Sequence, residues 1–146
     1  MQLLIKRLKH YPATELPAYQ TSESAGLDLL AAIPDPLKLN PIERAAVPTG
    51  IALAIPFGFE GQVRPRSGLA LRLGLGMVNA PGTIDADYRG EIKVILINLG
   101  SIPLVIMPGE RIAQLVIAPV ARPDMLEVSE LPQTVRDSGG FGSTGV

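Results

Sequence analysis

The chain has 146 residues, one domain's length, with 47% hydrophobic residues, 18% charged residues and a net charge of −1. It holds no Cys, no Trp and a single His, His10, which excludes disulfides, thiolate nucleophiles, Cys-built metal sites and HExxH zinc centres, and leaves a Ser-His-Asp triad only His10 to use. The balanced charge exerts no global pull toward nucleic acid or an anionic membrane, and Gly (15) with Pro (14) make up roughly a fifth of the chain against an average of about 12%, which leaves little room for long helices.

Met1–His10 (MQLLIKRLKH) sets basic residues inside an apolar run too short, and in the wrong order, for a signal peptide; Leu3–Leu8 within it fits a strand. His10 has no recognisable partner and reads as a surface residue. Gly26–Ala31 is a second strand, apolar except for Asp28, whose carboxylate needs a partner there, so a structural salt bridge is its expected role. Arg44–Ile55 and Phe59–Pro65 follow, the latter alternating Glu60, Gln62 and Arg64 with Phe59, Gly61 and Val63. Ser67–Leu73 (SGLALRL) breaks the period of two: Ser67 can cap a helix of one or two turns and Gly74 can end it. Leu75–Asn79, Glu91–Asn98, Leu104–Met107 and Arg111–Val120 return to strand, with Gln114 a polar residue in a buried-looking run, either satisfied structurally or turned into a site. Turn signals separate these runs at Pro34-Asp35-Pro36, Asn40-Pro41, Phe57-Gly58, Pro81-Gly82, Asn98–Ser101 and Pro108-Gly109. Many short strands with regular turn chemistry predict an all-β sandwich or barrel carrying one short helix. The longest uncharged stretch, Val94–Gly109, is broken by Gly100, Pro103 and Pro108 and cannot span a membrane, so a soluble cytoplasmic protein is the default expectation.

Three segments carry side chains that could do chemistry. Pro65-Arg66-Ser67-Gly68 puts a forked cation and a hydroxyl where the helix begins, which makes either an anion site or an ordinary capped turn. Gly82–Glu91 (GTIDADYRGE) sets Asp85 and Asp87 on one face of an extended chain, before Tyr88 and Arg89; paired carboxylates suit water activation or metal binding, or form a polar hairpin tip. Asn79, at the head of the same loop, can read a donor–acceptor edge or cap the turn. Nine Arg to four Lys favours bidentate anion recognition over point-charge contacts. The third segment is the tail, Gln133–Val146 (QTVRDSGGFGSTGV), with almost nothing to bury and the composition of a frayed terminus, yet with Arg136 and Phe141 in it. Gly140–Gly145 matches G-x-G-x-x-G in form only, since no helix can follow; what remains is a run of Gly, Ser and Thr whose amides and hydroxyls can wrap an anion closely.

The order of five segments resembles the trimeric dUTPase family along nearly the whole chain: AGLDLLAA at Ala25–Ala32, PRSGLALRLG at Pro65–Gly74, NAPGTIDADYRGE at Asn79–Glu91, ERIAQLVIAPV at Glu110–Val120 and RDSGGFGSTG at Arg136–Gly145. The resemblance implies a distorted jelly-roll, β-clip-like subunit (residues 1–132), a mobile Gly-rich arm (residues 133–146) that closes over an active site, and a homotrimer with shared sites. It implies hydrolysis of dUTP to dUMP and pyrophosphate, which supplies dUMP for thymidylate synthesis and keeps uracil out of DNA. Asp85 matches the general base that activates water for attack on the α-phosphorus. Asn79, with Gly82, Thr83 and Ile84 of the hairpin, matches the uracil reader, and Tyr88 the ring that leaves no room for a 2′-hydroxyl. Arg66, Ser67 and Gly68 match phosphate contacts, Gln114 a polar group near phosphates and water, and Lys93 joins the substrate-binding set. Arg136 matches the γ-phosphate clamp, Phe141 the cover over the uracil, and Gly142, Ser143 and Thr144 the arm's phosphate lining. Asp28 and Asp87 are supporting. Mg²⁺ is expected on the substrate phosphates and water, with no protein ligand, and neither nucleic acid nor membrane as partner. The arm departs from the family at Asp137, where Gly usually follows the Arg; a carboxylate there either points to solvent or restrains Arg136. A dCTP deaminase-like enzyme and a non-catalytic deoxynucleotide-binding trimer are the alternative readings.

Overall fold

Alternating apolar residues give each long strand one face to bury, and the chain solves this by stacking two sheets over one core. In the computed structural model, which describes residues 1–140, the elements run β1 (Leu4–Arg7), β2 (Gly26–Leu30), β3 (Leu37–Leu39), β4 (Arg44–Ala54), β5 (Phe59–Arg64), α1 (Ser67–Leu73), β6 (Leu75–Met77), β7 (Gly82–Ile84), β8 (Glu91–Asn98), β9 (Leu104–Ile106) and β10 (Arg111–Pro119). One antiparallel sheet has the order β1-β4-β8-β6, the second β2-β10-β5-β7, and β3 pairs with β9. Ile92, Val94 and Leu96 of β8 join Val47, Ile51 and Leu53 of β4 on the inner face of the first sheet. Leu27, Leu29, Val63, Ile112 and Leu115 complete the same cluster from the second. Each of these large side chains stabilises the fold by roughly 1.5–3 kcal/mol through removal of apolar area from water. The result is the all-β sandwich with one short helix that the strand and turn pattern predicts, in the distorted jelly-roll form that the resemblance implies.

The long strands and the helix lie where periodicity puts them, with strand ends shorter by one or two residues. β3 and β7 were not expected: β3 is wedged between the Pro34–Pro36 and Asn40-Pro41 turn signals, and β7 lies inside the polar GTIDADY run. Ser67 is not the helix cap. It is the first helical residue, and Arg66, extended at φ −92° and ψ 125°, occupies the cap position without a side-chain bond. Gly74 does end the helix, in the left-handed conformation (φ 66°), and lies so close to the β8–β9 loop that a Cβ there would stand 2.7 Å from the Gly100 nitrogen.

Polar groups in the core are satisfied. Asn98 is fully buried; its amide donates to the Leu39 and Ile102 carbonyls (3.0 and 2.8 Å) and accepts from the Gly100 N–H (2.9 Å). The neighbouring turn places Ile42 at φ 66°, and the Glu43 carboxylate accepts the Asn40 N–H at 2.7 Å. That bond to the backbone holds the Glu43 carboxyl below its ordinary range. His10 is not a lone surface residue: its Nε2 meets Glu91 Oε1 at 2.6 Å. The partners are 81 residues apart, so no local pattern could join them. After Pro119 the described residues form no further strand or helix, and residues 121–138 are exposed.

Candidate active site

A cleft of about 490 Å³ opens where β2, β10 and the start of α1 meet. It contains three guanidinium groups, Arg66, Arg72 and Arg111, against one carboxylate, Asp28. Asp28 stands opposite Gln114 in the β2–β10 ladder, and its two oxygens take Arg66 Nε at 2.9 Å and Arg111 Nη1 at 3.4 Å. The structural salt bridge expected of Asp28 is therefore present, and it fans two cations into the cleft. Arg66 also donates to the Arg111 carbonyl at 3.4 Å, while Gln114 donates from Nε2 to the Pro65 carbonyl at 2.9 Å. Ser67 and Gly68, the first residues of α1, line the same wall. Gly26, opposite Val116 in the same ladder, lies close against the Gln114 side chain: a Cβ there would stand 2.5 Å from Gln114 Oε1. Excess positive charge beside a hydroxyl and backbone N–H groups suits a polyphosphate. Arg72 and Arg111 were not singled out from the sequence. The only cue was their place within the PRSGLALRLG and ERIAQLVIAPV segments, Arg72 inside the predicted helix and Arg111 at the start of a predicted strand.

The second constellation is the hairpin from Asn79 to Glu91. β7 pairs with β5, and the chain then turns so that the Tyr88 N–H donates to the Asp85 carbonyl at 3.1 Å. Arg89 stiffens the turn by donating to the Ala86 and Tyr88 carbonyls at 2.7 and 2.9 Å. The Tyr88 hydroxyl donates to the Glu91 carbonyl at 3.1 Å, which leaves its ring 45% exposed at the hairpin's flank. Asp85, Asp87 and Thr83 line a separate cleft of about 510 Å³, shared with Phe57 and Arg122. Ile84 packs against the core, while Gly82 is buried with the Asn79 amide beside it. Asn79 itself is exposed. Lys93 lies opposite Pro48 on β8, exposed, and lines neither cleft.

One chain thus brings Arg66, Ser67, Gly68 and Gln114 together, and Asp85 with Thr83, but it does not bring Asp85 to Arg66. Arg136 lies apart from both clefts and donates to the Gly139 carbonyl at 2.8 Å. Asp137 takes a left-handed conformation (φ 42°), which Gly would adopt without strain. Phe141, Gly142, Ser143 and Thr144 lie outside the described residues. Among the described residues no three His, Asp or Glu side chains cluster as a metal cage. No helix among them is long and apolar enough to cross a membrane.

Fold and clefts together define a β-sandwich with an arginine-lined cleft and a separate carboxylate-bearing hairpin. The dUTPase family model matches residues 13–145. The chain is 64% identical over 143 residues to a deoxyuridine 5'-triphosphate nucleotidohydrolase of Aquifex aeolicus (strain VF5), covering 98% of this chain and 95% of that one. Its fold superposes on the dUTPase of Staphylococcus bacteriophage 80alpha, solved with dUPNHPP, at a TM-score of 0.88 and 29% identity, with 99% of each chain covered. A dUTPase variant from phage phi11 of S. aureus, described with a structural Mg(II) ion, aligns at a TM-score of 0.81 and 24% identity over 91% of this chain and all of that one; at that identity the likeness concerns the fold alone. The chain belongs to the dUTPase family.

Proposed function

We propose that the protein hydrolyses dUTP to dUMP and pyrophosphate, with the triphosphate in the Arg66 cleft and the base and sugar against the Asn79–Tyr88 hairpin. The observation that carries this reading is the cleft itself: Arg66 and Arg111 paired to Asp28, a third guanidinium, Arg72, lining the same cleft, and Ser67, Gly68 and Gln114 on its walls. Asp85 takes a proton from water, the water oxygen bonds to the α-phosphorus, and pyrophosphate leaves with the bridging oxygen. Phosphoryl chemistry of this kind needs positioning and charge stabilisation more than a nucleophilic side chain. That agrees with a chain that has no Cys and one His. The 80alpha relative's dUTP analogue supports the same substrate class for this chain. Asn79 and the backbone of Gly82, Thr83 and Ile84 read the uracil edge, Tyr88 stands under the deoxyribose, and Lys93 assists from β8. A hydrogen-bonding site rejects wrong bases strongly, because a mismatch leaves buried polar groups unpaired.

Mg²⁺ would be held by the substrate phosphates and water, with no protein ligand. The residues present fit that arrangement, since among the described residues no cluster of His, Asp and Glu forms a metal cage. When bound, the ion neutralises phosphate charge.

The separation of Asp85 from Arg66 within one chain supports a homotrimer in which one subunit's hairpin completes another's cleft. Residues 1–132 form the domain. Residues 133–146 act as the arm, with Arg136 clamping the γ-phosphate, Phe141 covering the uracil, and Gly142, Ser143 and Thr144 lining the phosphates. The same proposal places the enzyme in the cytoplasm, where it supplies dUMP for thymidylate synthesis and keeps uracil out of DNA.

Pyrophosphate release from dUTP, dCTP, dTTP and UTP with Mg²⁺ tests this directly. Only dUTP should turn over quickly. Ammonia release from dCTP would instead establish a deaminase, and tight binding without turnover a nucleotide-binding trimer. A monomeric mass in solution would contradict the shared site.

A further inference from the structure

β4 and β8 do not pair evenly at the foot of the hairpin. Pro48 lies opposite Lys93 and Ala52 opposite Glu91, so Thr49, Gly50 and Ile51 face Ile92 alone. An irregularity of this kind removes ladder hydrogen bonds and leaves backbone groups to be satisfied by other means. Two side chains supply them. Thr49 Oγ1 donates to the Ile92 carbonyl at 2.6 Å, and the buried Gly50 N–H donates to Glu91 Oε1 at 2.8 Å. The same Oε1 meets His10 Nε2 at 2.6 Å. The Gly50 carbonyl accepts the Leu8 N–H at 2.8 Å, and Gly50 sits at φ 70°, with Tyr11 so close that a Cβ would stand 2.7 Å from Tyr11 Cα. The segment Leu8–Tyr11 is therefore clamped over the irregularity, with the Glu91 carboxylate as the common acceptor. On its other side Glu91 accepts the Tyr88 hydroxyl at its carbonyl, and Tyr88 in turn bonds to the Asp85 carbonyl.

We propose that Glu91, held by His10, is a positioning residue for the hairpin: it fixes the foot of the Asp85–Tyr88 turn and so sets how closely the Tyr88 ring approaches the sugar. This rests on the dUTP reading above and extends it to two residues that line neither cleft. Glu91 touches no substrate. Its carboxylate decides whether Gly50 is anchored, and its carbonyl moves with that anchor. The quantity it controls is discrimination between deoxyribose and ribose, not the chemical step.

The test compares kcat/KM for dUTP and UTP in the wild-type chain and in Glu91→Ala, Glu91→Gln and His10→Ala. Glu91→Ala should lower the dUTP:UTP ratio roughly tenfold, mainly through KM and kcat for UTP. Glu91→Gln keeps an acceptor for Gly50 and should hold the ratio within about twofold. His10→Ala removes an exposed partner without touching Gly50, folds regardless, and should lower the ratio about threefold. Hydrogen exchange at the Gly50 and Tyr88 amides should quicken in Glu91→Ala and not in Glu91→Gln. An unchanged ratio in folded Glu91→Ala and in His10→Ala, or an equal loss in Glu91→Gln, overturns the assignment. A wild-type chain that leaves dUTP intact would sink the substrate reading instead, and amide exchange unmoved by Glu91→Ala would separately sink the anchoring.

Discussion

The Arg66 cleft and the Asp85 hairpin hold their polar side chains in opposite ways. In the cleft, Asp28, Arg66, Arg111 and Gln114 bond to one another or to backbone, and all project from strands or from the edge of α1. On the hairpin the backbone is braced by Arg89, Tyr88 and Glu91, while among the described residues no hydrogen bond or ion pair reaches the Asp85 or Asp87 carboxylate. The cleft's cations are held in place before any ligand arrives, so under the proposed function its residues serve stability and binding together. The hairpin presents its carboxylates on a rigid stem without side-chain partners among the described residues, so either can be altered at little cost to the fold. This division suits an enzyme whose cations must not relax when the substrate's charge develops.

Substitutions can break that contrast, and Asp85→Asn should do so most sharply. Turnover should fall on the order of 10³-fold, with dUTP affinity and melting temperature nearly unchanged. Pyrophosphate release and calorimetric binding check this, and an active variant would remove Asp85 from the mechanism. Arg66→Ala should behave differently. It should lower kcat/KM about 100-fold and also destabilise the fold by about 1–2 kcal/mol, because Asp28 loses its closest partner. A variant that lost activity without losing stability would mean the ion pair does not brace the cleft. Gly26→Ala probes the cleft without deleting a contact: the new methyl pushes on Gln114 Oε1, a flexible side-chain end. The expected loss is about tenfold in kcat/KM with the fold intact, since displaced positioning groups cost rate.

Two smaller effects lie away from both regions and should leave activity alone. Ile42 is β-branched, exposed and held at φ 66°. Replacing it by Gly relieves roughly 1–2 kcal/mol of strain and gives back part of that as chain entropy. Ile42→Gly should therefore raise stability by about 0.5–1 kcal/mol in denaturant titrations. Glu43 carries the smallest effect. Its folded pKa is lowered from 4.5 by the Asn40 N–H, so its contribution is present above the unfolded pKa and lost as pH falls through the folded one. Wild type should melt slightly above Glu43→Gln at pH 6, and the difference should shrink as the pH is lowered through the ordinary carboxyl range and below it.

The regular parts of the fold were legible because burial imposes a period. β8 buries Ile92, Val94 and Leu96 as its alternation predicts, and α1 spans the residues expected of it. β3 and β7 escaped because turn and polar residues surround them, so only their pairing with β9 and β5 makes them strands. The need for a partner at Asp28 could be read from a carboxylate in an apolar run, but Arg111 as its second partner depends on the β2–β10 register. His10 and Glu91 show the same limit more plainly, since their contact exists only once β4 and β8 are paired around Gly50. The family resemblance named Asp85 and Arg66, and their separation within one chain appeared only in three dimensions.

Asn98 bears on how this chain can change over evolutionary time. Its amide uses two donors and one acceptor at once, joining the end of β3 to the β8–β9 loop. A carboxylate of the same shape has no donor when ionised, and a leucine has neither donor nor acceptor. Either replacement therefore strands backbone groups in at least two segments together, so such a change is tolerated best alongside compensating changes at neighbouring sites. The most inward polar side chain of the fold is thus a point of low mutational tolerance, although it lies in neither cleft.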